Sequence, residues 1–311
     1  MLMNALGNYT ENFSKMNRIP VAILGATGIV GQRYVKLLAN HPWFEIREVA
    51  ASEKSIGKTY KEVMKNRWKL GSEIPEEVGK LIIKECLPNL ESKIVFSALD
   101  ANVAGPIEES FAKEGYIVIS NARNHRLEDD VPLLIPEVNP DSLEIIELQR
   151  KRRGYKGFII THPNCSTTEL CLALKPIHDK FKLKRLIVTT MQSLSGAGYP
   201  GVASLDIIDN IIPYIALEEE KIEHETLKIF GNVKDDKIIP ASIQVSATCN
   251  RVFVSEGHLE SVSIETEEKP SIEELIGCLE DFDPLRKLNL PSHSKPIVVM
   301  RDEDRPQPKL D

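Results

Sequence analysis

The sequence has 311 residues, 42% hydrophobic and 27% charged, which is typical of a globular protein with one large or two medium domains. Its formal net charge of -7 argues against a general nucleic-acid binder, which would need a basic surface. There is no apolar run of about 18 residues and no secretory signal, so we expect no membrane partner. The five cysteines form no CxxC pair and no zinc-type cluster, which predicts a reducing, cytoplasmic compartment and no metal site.

The first half of the chain alternates between strand-like and helix-like segments. Residues 1–15 are mixed and polar, and we expect a flexible extension there. From Ile19, the apolar run IPVAIL leads into a helical pattern, and EIREVAAS, KIVFSALD, AGPIEESFAKEG and YIVISNA continue the alternation. Several strands are almost continuously apolar, which indicates a parallel sheet covered on both faces. We therefore predict a Rossmann-like, dinucleotide-binding α/β domain over residues 16–164.

The second half has longer β-rich runs, KRLIVTTMQSLS, IPASIQVSATCNRVFV and HLESVSIETEE. Helices are predicted at 166–180, 204–212 and 217–230, and in SIEELIGCLEDF. These elements predict an α+β catalytic and dimerisation domain with a mixed sheet over residues 165–311. The apolar stretch SLDIIDNIIPYI could be a helix at an oligomer interface or part of the domain core.

A glycine-rich loop, ILGATGIVGQ, directly follows the first strand and opens a helix. It contains Gly25, Gly28 and Gly31 in the spacing G-x-x-G-x-x-G. Glycines at such a place let the backbone turn tightly and approach a pyrophosphate held at the helix N-terminus. An ordinary strand–helix turn could use the same residues, but the strand before and the βα units after the loop favour a nucleotide.

The residues after the second strand bear on which nucleotide binds. In VAASEKSIGK, Ser52 and Lys54 could hold a 2′-phosphate, which favours NADP. Glu53 is a competing candidate, because an acidic side chain there would bind the ribose diol of NAD. A solvated loop is the remaining alternative for Lys54.

Cys165 stands between a Pro-Asn pair and a hydroxyl-rich trio, where an apolar-periodic helix begins. The positive end of a helix dipole and the free N–H groups of the first turn favour thiolate over thiol. The same N–H groups could hold an oxyanion, and Asn164 could add a donor. The alternative is a small buried residue at a strand–helix junction.

His258 is the candidate acid–base group for this cysteine. It lies in NRVFVSEGHLESV between two strand-like runs, after Gly257, where the backbone can turn or approach a ligand. A structural histidine is the alternative. Arg251 occurs in the same run, and a charged side chain at the start of an apolar strand needs a partner.

Six motifs in order resemble the aspartate-semialdehyde dehydrogenases of the archaeal and fungal type: GATGIVGQ, SNARNHR, PNCSTTELCLALKPI, QSLSGAGYPGV, EEEKIEHETLKI and NRVFVSEGHLESV. The resemblance covers nearly the whole chain from Arg18. It implies NADPH-dependent reductive dephosphorylation of L-aspartyl-4-phosphate to L-aspartate 4-semialdehyde through a cysteine thioester, in lysine, threonine and methionine biosynthesis. It also implies inorganic phosphate as a product and a homodimer or homotetramer.

The resemblance assigns expected roles to individual residues. The predicted catalytic residues are Cys165 as nucleophile, His258 as acid–base group and Gln192 as the residue that orients the substrate. The predicted substrate-binding residues are Asn164, Arg251 for the carboxylate, Glu218 for the amino group, and Arg126 and Lys221 for the phosphate. The choice of Glu218 rests on its position three residues before Lys221. The predicted cofactor contacts are Gly25, Thr27, Gly28, Ile29, Val30, Gly31, Ser52, Lys54, Ser97, Ala98, Ser195 and Gly196.

Two other functions remain open on this scaffold. Malonyl-CoA reductase would use the same cysteine chemistry, but the pair of Glu218 and Lys221 favours an amino-acid substrate. N-acetyl-glutamyl-phosphate reductase fits the surroundings of the cysteine less well. The family continues past Asp311 with a glycine-containing strand and a final helix, so we expect that segment to be absent here. A catalytically impaired nucleotide-binding relative is therefore the second alternative.

Overall fold

The computed structural model describes residues 18–302 and 304–311. The predicted extension at residues 1–15 lies outside the described residues. The chain divides into two compact units. Unit 1 contains the described part of Met1–Pro132 together with Leu143–His162 and Leu285–His293, and unit 2 contains Leu133–Ser142, Pro163–Pro284 and Ser294–Asp311.

Unit 1 is built on a six-stranded sheet. Its strands are β1 (Ile19–Leu24), β2 (Phe44–Ala50), β3 (Ile83–Lys84), β4 (Ile94–Ser97), β5 (Ile117–Ser120) and β6 (Phe158–Thr161). They are hydrogen-bonded in the order β3-β2-β1-β4-β5-β6, and every pair is parallel. The prediction of a parallel, Rossmann-like sheet is confirmed. In this strand order the direction of winding reverses between β1 and β4, where doubly wound folds bind ligands at the carboxyl ends of the strands.

Helices cover both faces of this sheet. They are α1 (Ile29–Leu38), α2 (Tyr60–Met64), α3 (Glu76–Gly79), α4 (Ala101–Lys113) and α5 (Ile146–Arg153). Strand β1 shows why its sequence is apolar throughout. Val21 and Ile23 belong to one buried cluster, while Ala22 and Leu24 belong to the cluster on the opposite face. Successive strand residues point to opposite faces, so a strand buried on both sides needs apolar residues at every position.

Unit 2 contains a three-stranded mixed sheet and a hairpin. Its strands are β7 (Leu183–Gln192), β8 (Asn232–Lys234), β9 (Lys237–Ile239), β10 (Gln244–Arg251) and β11 (Leu259–Thr266). Its helices are α6 (Cys165–Phe181), α7 (Ser204–Ile207), α8 (Glu218–Ile229) and α9 (Ile272–Glu280). The sheet order is β10-β7-β11, with β10 parallel and β11 antiparallel to β7, which confirms the predicted mixed sheet.

The core of unit 2 lies between its helices and one face of this sheet. Leu170 and Leu174 of α6 and Ile222 of α8 are buried with Leu186 and Val188 of β7. The spacing of four residues on α6 puts both leucines on one helical face. That apolar face fixes α6, and with it the position of the residue at its N-terminus.

One predicted helix is wrong. The sequence pattern indicated a helix over 204–212, but α7 ends at Ile207. Asp209 has a positive φ of 56°, which interrupts helical geometry, and Ile212 instead forms an isolated antiparallel bridge with Arg251. The stretch SLDIIDNIIPYI is therefore not one apolar helix, because pairing with the end of β10 overrides its helical periodicity.

The part of the chain that the structure describes contains neither a candidate membrane span nor a metal-binding cluster. Among residues 18–302 and 304–311, no helix combines the length and the apolar character that crossing a bilayer requires. The same residues contain no group of three or more His, Cys, Asp or Glu side chains placed to hold a metal ion. All five cysteines are free thiols.

Candidate active site

Unit 1 has a cleft of about 760 Å³ at the carboxyl ends of β1 and β4. This is the switch point of the strand order, where the fold favours nucleotide binding. The residues that line it include Gly25, Thr27, Gly28, Ile29, Val30, Ala51, Ser52, Glu53, Cys86, Ala98, Leu99 and Asp100. Seven of the residues predicted to bind the cofactor therefore lie around one cavity.

The glycine loop passes so close to neighbouring backbone atoms that residues with a side chain cannot replace two of its glycines. Gly25 has a φ of +72°, and a Cβ there would lie 2.5 Å from the carbonyl oxygen of Ala98. A Cβ on Gly31 would lie 2.3 Å from the carbonyl oxygen of Gly25. Helix α1 begins directly after Gly28, whose missing side chain leaves the first-turn N–H groups without a side-chain cap. These features fit a dinucleotide whose pyrophosphate lies at the N-terminus of α1.

Two of the predicted cofactor residues face other surroundings. Lys54 is exposed and does not line the cleft, since the 3₁₀ turn Glu53–Ser55 directs successive side chains to different sides. Ser97 is fully buried, and its hydroxyl donates to the carboxylate of Glu108 at 2.5 Å. Cys86 lines the cleft but was not predicted, because nothing in its local sequence distinguishes it.

In unit 2, Cys165 is the first residue of α6, and Asn164 is its N-cap. The Asn164 side-chain oxygen accepts hydrogen bonds from the N–H groups of Ser166 and Thr167, at 3.0 and 3.3 Å. This cap satisfies two of the donors that every helix N-terminus leaves open. The sequence pattern Pro-Asn-Cys-Ser-Thr therefore starts the helix and places the thiol at its positive end.

His258 meets this thiol directly. Its Nε2 atom lies 3.1 Å from the Cys165 Sγ atom, although the two residues are 93 positions apart. Gly196, in the 3₁₀ turn Leu194–Ala197, packs against the imidazole, since a Cβ there would come within 3.0 Å of the His258 Cε1 atom. A cysteine and a histidine in hydrogen-bond contact at a helix N-terminus form a constellation suited to nucleophilic catalysis.

The protonation of this pair differs from the sequence-based expectation. Part of the Cys165 surface is exposed, but the surrounding protein atoms still remove water from around its sulfur. This desolvation, and then the negative charge of Glu218, raise the pKa of the thiol above the ordinary value. The backbone N–H of Ser166 acts in the expected direction but does not outweigh them. Burial, and then Arg251, lower the pKa of His258, so the imidazole is neutral at neutral pH. The helix N-terminus alone therefore does not hold this cysteine as a thiolate.

Glu218 lies at the centre of a polar cluster beside the cysteine. Its carboxylate accepts from the Asn164 amide at 2.8 Å and from the Gln192 amide at 3.5 Å, and it forms an ion pair with Lys221. Burial raises the pKa of Glu218, but the hydrogen bonds from Lys221, Asn164 and Gln192 outweigh it and keep the pKa below the ordinary range. Glu219 instead accepts from the backbone N–H of Cys249 at 3.0 Å. The cluster therefore contains Glu218 and not its neighbour.

Arg251 lies at the end of β10, and only 5% of its surface is exposed. Its Nη1 atom donates to the carbonyl oxygen of Ser193 at 2.7 Å, and a Cβ on Gly196 would lie 2.9 Å from that same nitrogen. The space beside the Cα atom of Gly196 is therefore bordered by the side chains of Arg251 and His258. Burial is the main cause that lowers the pKa of the Arg251 guanidinium, which nevertheless stays charged.

The predicted residues are divided between the two units. Cys165, His258, Gln192, Asn164, Glu218, Lys221, Arg251, Ser195 and Gly196 belong to unit 2, and the remaining predicted cofactor residues and Arg126 belong to unit 1. Arg126 is buried, and its Nη2 atom donates to the carbonyl oxygen of Asn121 at 2.9 Å. Lys221 was predicted to bind phosphate, and in this structure its ammonium group is paired with Glu218.

Two residues of the site were missed by the sequence reasoning. Glu225 accepts the backbone N–H of Asn164 at 2.6 Å and so orients the residue before the cysteine. Ser193 contacts the Nδ1 atom of His258 through both its N–H and its hydroxyl group. Both residues lie within the motifs EEEKIEHETLKI and QSLSGAGYPGV, but the long-range contacts that give them importance are not visible in the sequence.

Comparison with known families decides the relationship. Residues 20–146 match the family model described as "Semialdehyde dehydrogenase, NAD binding domain", and residues 174–311 match "Semialdehyde dehydrogenase, dimerisation domain". The chain belongs to the semialdehyde dehydrogenase family. This membership confirms the resemblance that the six motifs indicated. The residues that match the NAD-binding domain include those that line the glycine-loop cleft.

Relatives of this semialdehyde dehydrogenase include archaeal and fungal proteins. The aspartate-semialdehyde dehydrogenase of Methanothermobacter thermautotrophicus is 50% identical over 297 residues, which are 94% of this chain and 85% of that protein. The crystal structure of aspartate semialdehyde dehydrogenase with NADP from Candida albicans is 42% identical, with a TM-score of 0.87 over 95% of this chain and 86% of that one. The malonyl CoA reductase (NADP) of Metallosphaera sedula is 42% identical over 93% of this chain and 82% of that protein.

Proposed function

We propose that this semialdehyde dehydrogenase catalyses the NADPH-dependent reductive dephosphorylation of L-aspartyl-4-phosphate to L-aspartate 4-semialdehyde. The observation that carries the proposal is the 3.1 Å contact between the Cys165 sulfur and the His258 ring, beside the carboxylate of Glu218. The proposal is supported by two relatives named aspartate-semialdehyde dehydrogenase, at 50% and 46% identity. The reaction would supply lysine, threonine and methionine biosynthesis.

Cys165 would act as the nucleophile. Its sulfur attacks the acyl carbon of the substrate, and the tetrahedral oxyanion collapses with release of phosphate and formation of a thioester. The backbone N–H of Cys165, which the Asn164 cap does not engage, can stabilise the oxyanion. His258, in contact with the sulfur, would act as the acid–base group during these steps. Gln192 is held beside Glu218 and would orient the reacting carbonyl group.

NADP fits the unit 1 cleft because the glycine loop excludes side chains and offers helix N–H groups to a pyrophosphate. When bound, the reduced cofactor supplies the hydride that reduces the thioester. Gly25, Gly28 and Gly31 would approach the pyrophosphate, and Ser52 would hold the adenosine ribose or its 2′-phosphate. Glu53 also lines the cleft, and Lys54 would have to turn towards it to contribute.

The charged residues of unit 2 would recognise an amino acid. Arg251 offers a guanidinium suited to the substrate carboxylate, and Glu218 offers a carboxylate suited to its amino group. Both are buried, so their charges are little screened by solvent. Lys221 and Arg126 would bind the phosphate, which requires Lys221 to share its charge between Glu218 and the substrate.

Malonyl-CoA reduction is the second candidate, since a relative of that name is 42% identical. A malonyl group carries a carboxylate that Arg251 could bind, but it has no amino group for Glu218. The buried carboxylate would then face no cation of the substrate, and this favours the aspartyl substrate.

A homodimer or homotetramer is part of the proposal. The chain matches a dimerisation domain over residues 174–311. Large apolar side chains are also exposed between positions 199 and 217, with Leu205 90%, Ile211 60% and Tyr214 54% exposed. Their burial against a second copy would be favourable. We further propose a cytoplasmic location, where its free thiols would stay reduced.

The test is an assay in the oxidative direction. The purified protein is mixed with L-aspartate 4-semialdehyde, inorganic phosphate and NADP, and absorbance is followed at ~340 nm, the band of the reduced nicotinamide. We expect an absorbance increase that depends on phosphate and disappears in Cys165→Ser. Activity with malonyl-CoA and NADPH alone would favour the rival reductase. NADP binding without either reaction would favour a catalytically impaired nucleotide-binding relative.

A further inference from the structure

The Nδ1 atom of the His258 ring, on the side away from Cys165, contacts Ser193. The backbone N–H of Ser193 donates to the His258 Nδ1 atom at 3.1 Å, and the Ser193 hydroxyl lies at 3.1 Å from the same atom. The Ser195 hydroxyl lies 3.0 Å from the Ser193 hydroxyl. The near side of the ring, at Nε2, faces Cys165 at 3.1 Å. Each ring nitrogen therefore has its own partner.

A backbone N–H can only donate, so the nitrogen that accepts its hydrogen bond must carry a lone pair. A neutral imidazole has one such nitrogen and one N–H. Building on the function proposed above, we propose that Ser193 is a positioning residue that holds neutral His258 with its proton on Nε2. The ring then meets the sulfur of Cys165 as a hydrogen-bond donor.

The Ser193 N–H is held in place from several directions. The Ser193 carbonyl oxygen accepts from the Arg251 guanidinium at 2.7 Å, and the next residue, Leu194, donates its N–H to the carbonyl oxygen of Val254 at 2.8 Å. Ser193 itself is fully buried. Gly196 closes against the edge of the imidazole and limits rotation of the ring. The donor and its acceptor are therefore both fixed before any substrate binds.

The charges around the ring agree with a neutral imidazole. The titratable groups that act on His258 are Arg251, Glu218 and the contacting thiol of Cys165. Burial, and then Arg251, lower its pKa, and Glu218 opposes them without reversing the shift. A second proton could be added only at Nδ1, where it would displace the Ser193 N–H. Ser193 and Arg251 thus both disfavour the imidazolium form.

The fixed tautomer has a consequence for the reaction. The exposed Cys165 thiol first releases its proton to solvent, and the S–C bond forms with an electron pair of the resulting thiolate. The C–O bond to phosphate breaks with its electron pair on phosphate, and hydride from the reduced cofactor then adds to the thioester carbon. When the aldehyde is released, the S–C bond breaks and its pair returns to sulfur. An Nε2–H donor stabilises that negative sulfur at the beginning and the end of the cycle. Solvent protonates the departing phosphate and returns one proton to the sulfur, so that one proton is consumed overall. His258 acts as the acid–base group by sharing its Nε2 proton with the sulfur.

The tautomer can be measured directly in the intact protein. Two-bond ¹H–¹⁵N correlation spectra of the full chain with ¹⁵N-labelled histidine separate protonated from unprotonated ring nitrogens, and comparison with His258→Gln assigns the signals. We expect an unprotonated Nδ1 and a protonated Nε2 at neutral pH. A protonated Nδ1, or two equivalent averaged signals, would overturn the proposal. This measurement does not depend on the substrate, so it stands even if the assay for the proposed function fails.

Variants of Ser193 test its part in the arrangement. Ser193→Ala keeps the backbone N–H, so the tautomer should persist. It loses one donor to Nδ1, and the midpoint of the His258 titration should rise by about half to one pH unit, as expected for one neutral hydrogen bond. The acid limb of the kcat/KM profile should move by the same amount, and Ser193→Thr should restore it. Ser255→Ala, at an exposed position of the adjoining segment, is the matched control. An unchanged midpoint in Ser193→Ala would remove Ser193 from this role.

Discussion

Replacing Asn164 with alanine should loosen the N-terminus of α6 by an amount that can be worked out from its contacts. The side chain caps two N–H groups of the helix and donates to Glu218 at 2.8 Å. Loss of an N-cap costs about 0.5–2 kcal/mol. Loss of a hydrogen bond to a charged group costs about 1.5–3 kcal/mol. We therefore expect the free energy of local opening at α6 to fall by about 2–5 kcal/mol in Asn164→Ala.

Asn164→Asp separates the two contributions. The aspartate keeps an acceptor for the cap, but it places a second carboxylate against Glu218. The pKa of Asp at position 164 should rise above its unfolded value of about 3.9, since two like charges in contact disfavour ionisation. When a carboxyl group has a higher pKa in the folded state, the free energy of unfolding falls as the pH rises above the pKa of the unfolded state, and it changes little below that pKa. The variant should therefore match wild type near pH 4 and lose protection as the pH rises to 7, whereas Asn164→Ala should be weakened at both.

Native-state hydrogen exchange followed by mass spectrometry gives the opening free energy for peptides of α6. Both tryptophans, Trp43 and Trp68, belong to unit 1, so their fluorescence reports separately on the unfolding of that unit in urea. The urea midpoint of this signal should be the same in the variants as in wild type. Asn210→Ala is a matched control in unit 2, because its exposed amide donates to the carbonyl oxygen of Asp206 in its own segment. Unchanged exchange at α6 in Asn164→Ala, or equal protection of Asn164→Asp at pH 4 and 7, would refute the reasoning.

Four further changes test other parts of the structure. Cys165→Ala should abolish turnover and leave NADPH affinity within a few-fold, measured by titration of the fluorescence of the reduced nicotinamide. Arg251→Leu should weaken substrate binding by about 2–5 kcal/mol, seen in KM, because it removes one partner of a buried charge pair. Gly31→Ala should abolish NADP binding, since its Cβ would lie 2.3 Å from the Gly25 carbonyl oxygen. Burial, and then Glu169, raise the pKa of Glu260 to about 8, so this carboxyl is protonated in the fold at neutral pH and ionised when unfolded. Glu260→Gln should therefore stabilise the protein at pH 8, by about 1–3 kcal/mol, and have little effect at pH 5 in urea denaturation followed by circular dichroism.

Each of these expectations has a result that contradicts it. Equal loss of turnover and NADP binding in Cys165→Ala would mean that the cysteine is structural. An unchanged KM and kcat in Arg251→Leu would remove that residue from the substrate site. Normal NADP affinity in Gly31→Ala would show that the loop can relax around a methyl group. Equal stabilisation by Glu260→Gln at pH 5 and pH 8 would mean that the ionisation of this carboxyl is not the cause.

Much of unit 1 could be predicted because its determinants are local in sequence. IPVAIL is apolar at every position because β1 is buried on both faces, and the glycines that follow are needed where the backbone passes Ala98. The predicted helix at 204–212 was wrong, since its periodicity was helical while the bridge between Ile212 and Arg251 is a long-range pairing. Local patterns predict an element only where no distant partner competes for its backbone.

For the candidate site, the identity of several residues could be predicted from the sequence, but their protonation could not. Motifs indicated Cys165, His258 and Glu218, because each residue type has a chemistry that its flanking sequence suggests. Their protonation could not be predicted, since the helix N-terminus at Cys165 is outweighed by crowding and by Glu218, which comes from another helix.

By itself, the sequence determined the parallel sheet, the glycine loop, the helix that starts at Cys165 and membership of the semialdehyde dehydrogenase family. The tertiary structure decided which side chains meet: Glu218 rather than Glu219 beside the cysteine, and Ser193 behind the imidazole. The physical reason is that propensity and periodicity act over a few residues, whereas hydrogen bonds and charge interactions depend on distances of about 3 Å between groups that folding brings together.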